Sequence, residues 1–237
     1  MSNYDGDEYR IEPDDGTCRV NPGYGKPRFS RHELKDITIS VLVLALAFAI
    51  LSRSGSVMNF FEYHLGEGTA YLGLFGLCIG LVVLSFLFHE FGHKFVAQKA
   101  GMWSEFRMSP MGLVLTLVTS FLGFLFAAPG AVYIQGNCSR ETDGKISIAG
   151  PMVNIVLSAI GIIGCLTVNH SGWVIFFLLL ANLNAFLALF NLLPIPPLDG
   201  SKVIRWNKLI WIAALAISAA PLYELISYLS TTYSKLP

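Results

Sequence analysis

Of the chain's 237 residues, 54% are hydrophobic and only 14% are charged, and the apolar residues gather in long blocks rather than at the spacing of a soluble helix or strand. Sixteen basic residues balance sixteen acidic ones, and no basic face alternates with aromatics, so no nucleic-acid partner is expected. A polytopic α-helical membrane protein is expected instead, with the lipid bilayer and other membrane proteins as its partners.

Residues 1–36 are rich in Asp, Gly and Pro and lack periodic apolar positions, which predicts a disordered tail ahead of a membrane domain over 37–237. Lys26, Arg28, Arg31 and Lys35 precede the first apolar block and predict a cytoplasmic N-terminus. The apolar blocks are Ile37–Leu51, Thr69–Ala100, Gly112–Ile134, Ile146–Val168, Trp173–Leu193 and Leu209–Leu229, about six membrane-embedded segments. Arg53 stands alone between the first two, whereas Lys94, Lys99 and Arg107 cluster around the end of the second, which returns the chain to the cytoplasm.

The third block is the ambiguous one. It is long and apolar enough to span, yet Arg107 precedes it and Arg140 and Lys145 follow it, which places both its ends in the cytoplasm. Thr116–Ser120 is rich in β-formers, and "AAPGAVYI" carries a turn signal followed by a short strand pattern. A re-entrant element with short β-strands is therefore expected beside an ordinary span as the alternative; embedded strand edges require protein or a wet cavity to satisfy their backbone groups.

Cys18, Cys78, Cys138 and Cys165 form no C-x-x-C pair, so neither a disulfide framework nor a zinc knuckle is expected. The second block is different in kind, because "LSFLFHEFGHKFVAQKAG" carries three ionisable groups where each is costly. H-E-x-x-H on a helix puts His89 and His93 on one face, where two imidazoles can bind one zinc, with Glu90 beside them as a base. A catalytic zinc needs a third protein ligand and an open fourth position. The best candidate is Asp199 in "NLLPIPPLDGSK", where Pro194, Pro196 and Pro197 must unwind the fifth block. His64 and His170 lie in loops away from the motif and are read as non-ligands.

With "HEFGH" at His89–His93, "AGPMVN" at Ala149–Asn154 and "NLLPIPPLDG" at Asn191–Gly200, in that order and each in an apolar block, the chain resembles the site-2 proteases, intramembrane zinc metalloproteases. The resemblance covers about Leu84 to Arg205. It implies one zinc per chain held by His89, His93 and Asp199, Glu90 as catalytic acid and base, and embedded strands that contact a transmembrane protein substrate. It also implies a multi-pass cell-membrane protein whose active site opens toward the cytosol. No stretch is long enough for the PDZ or nucleotide-sensing domain of some relatives.

The same resemblance favours an active-site role for Asn191 in stabilising substrate or an oxyanion. Asn154 stays open between interhelical hydrogen-bond glue, which Asn182 and Asn184 also suit, and support of the site. Three other readings compete, of which a metallopeptidase for soluble substrates is disfavoured because the motif lies within an apolar span. A transporter should show paired repeats with corresponding broken helices, and only one half has a Pro-broken segment; an inactive zinc-binding adaptor should lack the base, and Glu90 is present.

Overall fold

The structure, a computed structural model, describes residues 29–53, 55–136 and 138–233. Most of the expected tail, with Cys18, Lys26 and Arg28, lies outside these residues. The described chain runs α1 (Arg31–Leu51), α2 (Ser56–Leu65), α3 (Glu67–Val82), a π-helical turn (Val83–Leu87), α4 (Phe88–Lys99), β1 (Trp103–Met108), α5 (Pro110–Phe121), β2 (Gly130–Gln135), α6 (Arg140–Thr167), α7 (Ser171–Asn191), α8 (Gly200–Trp206) and α9 (Lys208–Tyr233).

Among the described residues, four helical stretches are long and apolar enough to cross a membrane: Arg31–Leu51, Glu67–Lys99, Arg140–Thr167 and Gly172–Asn191. Their large apolar side chains are largely unburied by protein, as Leu42, Leu46, Leu72, Ile163 and Leu178 illustrate. That is the pattern of helices whose outer faces meet lipid. α3, the π turn and α4 form one continuous 33-residue rod. At the helical rise it is about 50 Å long, more than a bilayer core requires.

α1 starts at Arg31, six residues ahead of the expected first block. Ser30 caps it, its hydroxyl accepting from the Glu33 N–H at 3.1 Å. The early start brings Glu33, Asp36 and Ser40 onto one face, all buried. That stripe meets the two-stranded antiparallel sheet, in which Phe106 pairs with Val132.

The third apolar block divides into two elements. Gly130–Gln135 is the expected strand. Thr116–Ser120, expected to favour strand, is instead in α5. Ser109 caps that helix with Pro110 in its first turn, and the Thr116 hydroxyl bonds back to Gly112 O at 2.8 Å, so capping and local bonds outweigh β-propensity. Twelve residues give α5 a length of about 18 Å, too short to cross. β1 and α2 were not foreseen from the sequence.

Among the described residues the main apolar core joins α1, α2, α3 and the sheet through Leu44, Met58, Leu74, Val82 and Phe106. α6 packs along α7 and against α4, and α8 packs on α6. These contacts bring the H-E-x-x-H helix and the proline-rich turn together.

Candidate active site

The α4 helix presents His89 and His93 on one face toward α6. His93 Nδ1 donates to the Ile146 carbonyl at 2.8 Å, and His89 Nδ1 donates to Asn154 Oδ1 at 2.5 Å. With both protons on Nδ1, both Nε2 lone pairs are free, and the two Nε2 atoms lie 3.0 Å apart.

The third group arrives from a chain reversal. α7 ends at Asn191, and residues 192–198 fold as turns in which Ile195 N–H reaches Leu193 O and Leu198 N–H reaches Ile195 O. Trp211 Nε1 ties Leu192 O to α9 at 2.7 Å. Gly200 lets the reversal close, since a Cβ there would stand 2.1 Å from Leu192 O. Asp199 occupies the N-cap position of α8, but its carboxylate does not cap that helix. It points instead at the histidines, with Oδ2 3.2 Å from His93 Nε2 and 3.5 Å from His89 Nε2. Burial pushes its pKa up, but the two imidazoles outweigh that and hold the carboxyl below the ordinary carboxylate range.

Three acceptors therefore converge on one point. Four-coordinate zinc at its usual ligand distances has ligand–ligand edges of about 3.3 Å, close to the 3.0, 3.2 and 3.5 Å edges found. Among the described residues, His89, His93 and Asp199 are the group of three such side chains close enough to hold a metal ion. The backbone leaves room for one. A Cβ at Gly150 would stand 2.3 Å from His93 Nε2 and 2.7 Å from His89 Nε2, where the metal-facing nitrogens point.

Glu90 is buried one step round the helix, and its Oε2 accepts from the Val132 N–H of β2 at 3.0 Å. The base candidate thus touches the sheet and lies beside the ligand cluster at once.

The description "Peptidase family M50" matches residues 160–217. The "Putative zinc metalloprotease MJ0611" of Methanocaldococcus jannaschii is 38% identical over 207 residues, 85% of this chain and 96% of that protein. The chain belongs to the site-2 protease family, peptidase family M50. The "Putative zinc metalloprotease YwhC" of Bacillus subtilis is 32% identical over 156 residues, 56% of this chain and 70% of that protein. The "Zinc metalloprotease Rip1" of Mycobacterium tuberculosis is 30% identical over 132 residues, 47% of this chain and 32% of that protein. No solved structure matches the chain.

As a site-2 protease the chain is a metalloprotease, and its remaining polar groups fall into place around the cluster. Asn154 bonds directly to His89. Asn191 does not reach the cluster; its Nδ2 donates to Leu187 O of its own helix at 2.9 Å. His64 bonds its own helix at Phe60 O, and neither it nor His170 joins the cluster. Sequence reasoning missed Ser85 and the site contact of Asn184, both buried and bonded to the Asn154 network. It also missed the Ile146 carbonyl and Val132 N–H, because backbone groups leave no trace in residue type.

Proposed function

We propose that this site-2 protease is an intramembrane endopeptidase that hydrolyses a peptide bond within or near a transmembrane segment of a membrane-protein substrate, with one zinc held by His89, His93 and Asp199. The observation that carries the proposal is the convergence of three metal-directed acceptors beside a buried glutamate, at one end of a helix long and apolar enough to span.

Bound zinc would polarise the scissile carbonyl and lower the pKa of a water toward about 7. The chain's own groups do the rest. Glu90 takes one proton from the attacking water as its oxygen bonds the carbonyl carbon. When the C–N bond breaks, Glu90 returns that proton to the leaving nitrogen. Asn191 closes α7 beside the Asp199 loop, and we assign its amide to the substrate carbonyl oxygen, in exchange for its bond to Leu187 O.

The sheet supplies a docking edge. Phe106 N–H donates to Glu33 Oε1 at 2.9 Å and Met108 N–H to Asp36 Oδ2 at 3.4 Å, so α1 closes the outer edge of β1. An unwound substrate segment can then add only to β2, the edge whose Val132 N–H meets Glu90. Beside that edge is a cavity of about 300 Å³, lined by Met102, Val132, Ile134, Ile146, Asp143 and Lys202 among others, suited to a substrate side chain. The short α5 supports a re-entrant third segment within about six embedded segments, and the basic residues support a cytoplasmic N-terminus and cytosol-facing site.

Wild type and Glu90→Gln, both purified and loaded with zinc, are to be incubated with a membrane-embedded test substrate. Both should bind one zinc per chain, and cleavage by the variant should fall at least about a hundredfold. Undiminished cleavage by Glu90→Gln, or no zinc in the wild type, removes the proposal.

A further inference from the structure

We infer that Asn184 and Ser85 are positioning residues for the metal centre, acting on His89 through the orientation of the Asn154 amide. The inference rests on the zinc reading above. It begins from the fact that an asparagine side chain has an accepting face and a donating face, and the face turned to an imidazole selects the imidazole's tautomer.

Asn154 turns Oδ1 to His89, so Nδ1 carries the proton and Nε2 is left open toward Asp199 and the metal position. Reversal of the amide would turn Nδ2 to His89 Nδ1, place the proton on Nε2, and block the very atom that has to ligate. His93 has no such ambiguity, because its Nδ1 partner is the Ile146 carbonyl, a backbone acceptor that cannot be reversed.

The far end of Asn154 makes the choice. Its Nδ2 donates to Ser85 O at 2.9 Å and to Asn184 Oδ1 at 2.7 Å, two acceptors that only an amino group can face. Asn184 is itself fixed, since its Nδ2 donates to Ser85 Oγ and to Leu180 O, each at 2.8 Å, which leaves its oxygen for Asn154. Ser85, Asn154 and Asn184 are all fully buried, so no bulk water competes for these bonds. Ser85 lies in the π-helical turn that immediately precedes the H-E-x-x-H helix, and its carbonyl turns outward to Asn154 there. Polarity is thus handed from two backbone carbonyls, through Asn184 and Asn154, to the ligating nitrogen of His89.

The test uses full-length purified protein, chelator-competition titration with zinc, and the visible spectrum of the cobalt-substituted form. Asn184→Leu should weaken zinc binding about 10- to 100-fold and alter the cobalt spectrum with helical circular dichroism retained. The same substitution in an Asn154→Asp background, where both side-chain oxygens accept and no wrong face exists, should cost less than about threefold. Ser85→Ala serves as a second variant and should show a smaller loss with the same background dependence. Equal losses in both backgrounds would mark Asn184 as packing only and overturn the inference, as would full zinc affinity in Asn184→Leu alongside a wild type that binds zinc and cleaves. A wild type that takes up no zinc would remove the zinc reading and this inference together.

Discussion

At Gly150 the α6 backbone runs so close to the His89 and His93 Nε2 atoms that a single methyl group would crowd the space where a metal ion would be held. Gly150→Ala is therefore expected to leave the helices formed, since alanine favours helix over glycine, while zinc content falls from one per chain to near none. Elemental analysis of the purified protein beside its circular dichroism checks this, and a full complement of zinc in the variant would contradict the geometry. The sequence exposes His89, Glu90 and His93 because their relation is helical and local. It marks Gly150 and Asn154 only as members of a short motif. Their reasons, a close approach and a 2.5 Å bond to His89, involve residues far along the chain.

At the scale of elements, α1 does more than span. Glu33 is wholly buried and binds Lys94 Nζ at 2.8 Å, and its carboxylate also holds the Phe106 N–H of β1. Lys94 is wholly buried as well, donating to Ser104 O at 2.9 Å and standing over the Phe29 ring. Read from sequence alone, Lys94 is one more surface cation at a span's end. In the fold it locks α1, α4 and β1 together next to the histidine pair. Lys94→Met leaves the Glu33 charge buried without its partner, and should cost about 3–5 kcal/mol in stability. Adding Glu33→Gln should recover most of that loss. Thermal unfolding in detergent measures both, and a single variant as stable as wild type would show that the pair carries no such energy. β1 was not legible because "WSEFRM" has no strong alternation of its own; its pairing with β2 and the α1 carboxylates make it a strand.

For the whole molecule, the placement of basic residues predicts that β2 lies on the cytoplasmic side. In a cysteine-free background, Gln135→Cys should resist a membrane-impermeant thiol reagent in intact cells and react once they are permeabilised; Gln135 is exposed, so protein burial does not mask it. Labelling in intact cells would turn the third segment into an ordinary span. The sequence by itself determined the membrane class, the positions of the long helices, and a same-face histidine pair with a glutamate beside it, because hydropathy and an i, i+4 spacing are properties of contiguous chain. The tertiary structure decided which carboxylate stands against the two histidines, which nitrogen of each histidine faces it, and which strand edge α1 covers. Each of those depends on hydrogen bonds and close approaches between segments remote in sequence, and only packing of α4, α6, α7 and the proline-rich turn brings their atoms within bonding distance.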